Sequence, residues 1–203
     1  MATDTNRKPL PTIGVDKYTF FPVEEDGADG IVYGIPVSLK GVVEIAPTDA
    51  GGNEVFNADN GAYETTPYIE KIGHEITNAD IPPEVDAMWR GLTKTDGVVE
   101  VGSDTKTVYF GVAWRILKSD GTHRYFRCYK GTYSFASNVG GKTKPSSGAP
   151  EMQTAKATYT AVQRDSDGLY YGFFDEVDLP EGITKADFER NWFEDLFYYP
   201  VVI

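Results

Sequence analysis

The sequence predicts a mainly β fold: two antiparallel sheets packed as a sandwich or barrel, with one flanking α-helix near 82–91 and a second, C-terminal helix near 185–196. Three observations carry that expectation. Between Thr107 and Ser134 the residues Val108, Phe110, Val112, Trp114 and Ile116 recur at every second position, the period of a strand with one buried face. Five Asp-Gly steps and Asn60-Gly61 are strong turn signals, because glycine takes the positive φ that tight hairpin turns demand. The 21 Gly, 13 Tyr and 11 Phe suit strands joined by many turns.

Each element follows in order. Residues 1–17 are polar, hold two prolines, and read as a flexible arm or a strand in need of a partner. Tyr18 to Val23 is a short aromatic strand, and Asp26-Gly27 and Asp29-Gly30 turn the chain back through Ile31 to Ile45, interrupted at Pro36. The stretch 46–66 is rich in Gly, Asp and Asn and reads as a long loop with a short extended piece at Val55-Phe56. A strand resumes from Ile69 to Thr77. Pro82 and Pro83 suit a first helical turn, and Val85, Met88, Trp89 and Leu92 form one apolar stripe ended by Gly91. Asp96-Gly97 opens a short strand. A long hairpin then folds at Ser119-Asp120-Gly121, with Tyr125, Tyr129, Tyr133 and Phe135 on one side of its second arm. Residues 137–150 form a second long loop. Met152 to Arg164 and Leu169 to Phe174 are strands. Thr184 then caps a helix with Asp187 three residues on, Ile183 and Phe188 flank the cap as a hydrophobic staple, and Trp192 and Leu196 extend the stripe. The whole of 1–203 reads as one domain with an acidic, aromatic extension at 175–203.

Charge and chemistry narrow the function. The net charge of −12 opposes tight nucleic-acid binding, which needs cations to displace counterions. Eight Lys/Arg against Asp120 give residues 105–144 a charge of +7 and leave −19 elsewhere, so either two solvated faces or surfaces that meet between subunits are expected. The lone Cys128 reads as a packed strand thiol. His74 and His123 do not complete a zinc set, and no catalytic or cofactor-binding motif occurs, so neither metal, cofactor nor enzyme activity is expected. Glu24-Glu25-Asp26 and Asp175-Glu176-x-Asp178 lack calcium-loop spacing and read as solvated turns. The N-terminus has no apolar run after a basic start and no stretch of 18 apolar residues occurs, so neither a signal peptide nor a membrane span is expected.

The order of features is more specific than any one of them. Val32-Tyr33-Gly34 and Pro36-Val37 precede Leu39-Lys40-Gly41. Asn57-Ala58-Asp59-Asn60-Gly61-Ala62-Tyr63-Glu64 follows, then Ala79-Asp80-Ile81-Pro82 leading into a helix. Val108-Tyr109-Phe110-Gly111 then runs through Asp120-Gly121 to Tyr129-Lys130-Gly131, with Thr143-Lys144 and an alternating strand after it. Over roughly residues 18–175 this resembles the major tail protein family of long-tailed bacteriophages of Gram-positive hosts. The resemblance implies a virion structural protein, made in the host cytoplasm, that assembles with itself into six-membered rings stacked as the tail tube. It also implies a tape measure protein and tail-end proteins as partners, and DNA only in transit during ejection. Asn57, Asp59, Tyr63, Glu64, Lys142 and Lys144 become the candidate inter-subunit contacts. A tube protein of a related injection or secretion machine shares these expectations. A β-sandwich binding module is the alternative from another class, its hairpin tyrosines stacking on carbohydrate.

Overall fold

The computed structural model describes residues 8–102, 106–134, 141–143, 147–149 and 151–201. The fold is mainly β, with twelve strands and two α-helices among the described residues. The strands are β1 (Thr12–Gly27), β2 (Gly30–Tyr33), β3 (Val37–Leu39), β4 (Val42–Pro47), β5 (Ala50–Ala58) and β6 (Gly61–Asn78), followed by α1 (Pro83–Trp89). A small ribbon, β7 (Lys94–Thr95) and β8 (Val98–Val99), precedes β9 (Phe110–Lys118) and β10 (His123–Tyr133). The chain continues through β11 (Ala155–Ala161), β12 (Tyr171–Asp175) and α2 (Lys185–Glu194). Ten strands form one antiparallel sheet in the order β2-β1-β9-β10-β11-β6-β4, with β3 on β1, β12 on β10 and β5 on β6.

The two expected layers are two halves of this sheet, which curls until they face each other. The Tyr18 hydroxyl on β1 and His74 Nε2 on β6 lie 2.8 Å apart, although three strands separate them in the sheet order. His74 also stands 4.7 Å from Trp114 on β9 and 5.0 Å from Tyr159 on β11. Tyr18, Phe20, Val112, Trp114, Ile76 and Tyr159 fill the space between, and α1 adds Val85 and Trp89 at one side. Trp89 stacks on Tyr133 at 4.0 Å. The helix ends in a Schellman motif: the Leu92 N–H donates to Ala87 O at 2.8 Å and the Gly91 N–H to Met88 O at 3.1 Å, with Gly91 at φ 65°. Met88 sits at the exposed edge of the predicted stripe.

A second core lies on the opposite face of β1, β9 and β10. Phe21, Ala113 and Tyr125 meet Phe188, Trp192 and Leu196 from α2 and the segment after it. Thr184 caps α2 as expected, accepting from the Asp187 N–H at 3.1 Å. Because both faces of β1 are covered, Tyr18 to Phe21 are buried in unbroken succession. The described part of the C-terminal extension, residues 175–201, is thus a packed layer of the domain.

Of the two readings of residues 1–17, the strand in need of a partner holds for residues 12–17 and the flexible arm does not, since Thr12, Gly14, Val15 and Asp16 pair with β9. Three expectations need correction. The stretch 46–66 is a hairpin, not a loop. The tyrosines of β10 do not share one side, because a bulge between Cys128 and Gly131 resets the strand: Tyr125 packs in the outer core and Tyr133 in the inner one. The two acidic clusters are solvated only at Glu24, Glu25 and Asp178, and the first lies in β1 rather than in a turn. Asp26 pairs with Lys130, Asp175 with Lys118 and Arg124, and the buried Glu176 with His123 and Lys185. Phe135 and most of the 137–150 loop lie outside the described residues.

Candidate assembly interface

The feature without a role inside the domain is the hairpin of β5 and the first half of β6. Its register runs from Ala50↔Lys71 to Ala58↔Gly61, and among the described residues β5 pairs with no strand but β6. Asp59 and Asn60 turn the tip at φ 49° and 63°. Two successive left-handed residues are what a two-residue type I′ hairpin needs, and Asp and Asn tolerate that region. The resulting arm is about 30 Å long at the usual rise per residue. Every residue from 50 to 57 and from 59 to 70 is exposed. Val55, Phe56, Tyr63, Tyr68 and Ile69 are among them, and the Phe56 and Tyr63 rings meet edge to face at 6.4 Å. Among the described residues, Glu54, Asp59, Glu64 and Glu70 enter no ion pair.

The arm leaves the domain beside a cleft. Along β10, residues 124–128 pair with β12 and residues 131–133 with β11, so the sheet forks at the bulge. β12 stays with the β9–β10 half, β11 stays with β6, and a cavity of about 360 Å³ opens between them. Ile45 and Ile72 line one wall, Phe126 and Phe173 the other, with His74 at its depth and Arg124 on its rim. Phe173 is 63% exposed and stacks with Tyr171 at 6.4 Å. Burial holds His74 neutral, its pKa depressed to about 3. The Cys128 thiol, also at the cleft, is pushed up to about 12 by the same cause and is inert at neutral pH.

The basic β9–β10 hairpin meets its opposite charges within the subunit. Arg115 binds Asp16 and Glu189 at 2.7 Å each, and Lys130 binds Asp26. Arg127 donates to the carbonyls of Leu196 and Tyr198 at 2.8 Å and lies 4.5 Å from the Trp192 and Tyr199 ring centroids. These contacts fasten α2 and the segment after it to the sheet. Asp175 serves both Lys118 and Arg124, while Asp49, which also lines the cleft, accepts from the Gly73 N–H at 2.9 Å, so Arg124 is the exposed charge at the rim.

Of the six sequence-derived candidates, Asn57, Asp59, Tyr63 and Glu64 come together at the tip of the arm. Lys142 lies apart from them: its backbone exchanges hydrogen bonds of 2.8 and 2.9 Å with the Gln153 side chain. Lys144 lies outside the described residues. The cleft residues Arg124, Phe126, Tyr171 and Phe173 were not singled out, because the alternation of Tyr171 and Phe173 reads like any half-buried strand. The tyrosines offered as a carbohydrate platform, Tyr125, Tyr129 and Tyr133, are buried. Among the described residues no helix is long and apolar enough to cross a membrane. Compared with family models and with curated proteins, the chain matches none.

Proposed function

We propose that this chain is a structural subunit of a bacteriophage tail tube. In this reading it is made in the host cytoplasm, closes into six-membered rings, and stacks those rings into the hollow conduit of the virion tail. It has no catalytic centre; its partners are other copies of itself, with a tape measure protein and tail-end proteins completing the tail.

The observation that carries the reading is the arm. A two-stranded ribbon bare on both faces is marginal in water, and five large apolar side chains on it gain by burial against another surface. Contacts between rings or neighbours supply that surface. The unpaired acids add a second support. A wall of negative potential lets DNA slide through without counterion-release binding. Imaging of the purified protein at rising concentration tests the reading, and stacked hollow rings are the expected result. A carbohydrate-binding module is the second reading, favoured by the exposed, stacked Tyr171 and Phe173 at the cleft. A protein that stays a single chain and melts higher with a soluble saccharide would support it instead.

A further inference from the structure

We propose that the cleft at the fork of the sheet receives the arm tip of a second copy of this chain. Phe56 and Tyr63 enter between the walls, and Asp59 and Glu64 come to face Arg124. The biological setting rests on the tail-tube reading; the contact itself rests on the two surfaces.

Three observations converge. The first is apolar complementarity. The tip presents Phe56 and Tyr63, 63% and 72% exposed, and the cleft leaves Phe173 and Tyr171 uncovered at its mouth. Aromatic side chains seated in pockets dominate the energetics of protein interfaces. The second is charge. The arm carries four acids without internal partners against the single Lys71. The rim carries Arg124, 44% exposed, sharing its only carboxylate with Lys118. An acidic tip is therefore steered to this rim and not to another acidic surface. The third is topology. Among the described residues β5 pairs with nothing beyond β6, so the arm projects from the domain instead of folding over the cleft beside its own base. Tip and cleft are different surfaces of one chain. A contact between them is heterologous, and each copy that docks its tip still offers its own cleft, which is the arrangement that propagates.

Disulfide trapping tests this. Ala62→Cys places a thiol at the tip, and Tyr171→Cys places one at the cleft mouth, with Phe56, Tyr63, Phe126 and Phe173 left in place. The native Cys128 stands directly opposite position 171 on the paired strand, so every variant also carries Cys128→Ala. The two variants, one carrying a size tag, are mixed under mild oxidation. Ala62→Cys mixed with Met152→Cys, another exposed position, is the reference. The tip–cleft adduct is expected to form at least several-fold faster than the reference adduct. Arg124→Glu in the cleft partner should slow it, and Glu64→Lys in the tip partner should restore the rate. Should Arg124→Glu disturb folding, Glu64→Lys alone against the native cleft carries the same charge test. An adduct no faster than the reference, or a rate indifferent to these charges, overturns the proposal. Tubes without the preferential adduct would remove this contact and leave the tail-tube reading standing; the adduct without tubes would do the reverse.

Discussion

Gly111 shows how a single residue sets the packing of two layers. A Cβ there would run into Leu196 Cδ1, with Tyr33 Cε1 at 2.9 Å and the Tyr129 carbonyl at 3.0 Å. Nothing larger than hydrogen fits between β9 and the segment after α2. Gly111→Ala should lower the stability of the chain by about 1–3 kcal/mol, as overpacking does, and denaturant unfolding measures it. Glu176 makes a different prediction. Burial pushes its carboxyl pKa up, but hydrogen bonds from Lys185 and His123 outweigh burial and hold it below the ordinary 4.5. A carboxyl depressed in the fold stabilises it above the unfolded value, and that contribution disappears as pH falls through the folded value. Glu176→Gln should therefore cost about 1–3 kcal/mol near neutrality. It should also lose less than the native chain as pH falls below the ordinary carboxyl value of 4.5. Unfolding midpoints across that range give the comparison. The acidity of Glu176 was visible in the sequence; its burial was not, because neither Lys185 nor His123 lies near it along the chain.

Among elements, those with an apolar period were legible and the one that buries no face was not. β9 shows Phe110, Val112 and Trp114 at period two because these face the inner core while the small Gly111 and Ala113 face the outer one, and α2 with the segment after it shows Phe188, Trp192 and Leu196 because that stripe faces the sheet. Thr184 with Asp187, and Gly91 after α1, announced their helix ends through local chemistry alone. The arm escaped because a ribbon exposed on both faces has no apolar period to read. Its one local signal was Asp59-Asn60-Gly61 midway between two stretches of matching length. The β10 bulge escaped because one unpaired residue shifts faces without altering composition. The arm also separates stability from assembly. Replacing residues 51–70 by a short Asn-Gly turn removes no core side chain. The thermal midpoint should stay within the small range of surface changes, while self-association measured by sedimentation is lost. A collapse of the fold on this deletion would mean that the arm belongs to the core and not to an interface.

At the scale of the whole molecule, the charge pattern divides into an internal and an external part. The +7 segment is largely spent on fastening the chain to itself: Arg115, Lys118, Arg124 and Lys130 hold acids from both ends of the sequence against the sheet. The acids left over include the exposed ones of the arm, and under the tail-tube proposal they supply the negative wall that DNA passes without binding. In the proposed contact, an acidic projecting tip and a separate open cleft repeat in one direction. The most direct test is negative-stain electron microscopy of the purified full chain across a concentration series. Stacked rings around a continuous central channel are the predicted result. Single chains at every concentration, or assemblies with no channel, would contradict the tail-tube account.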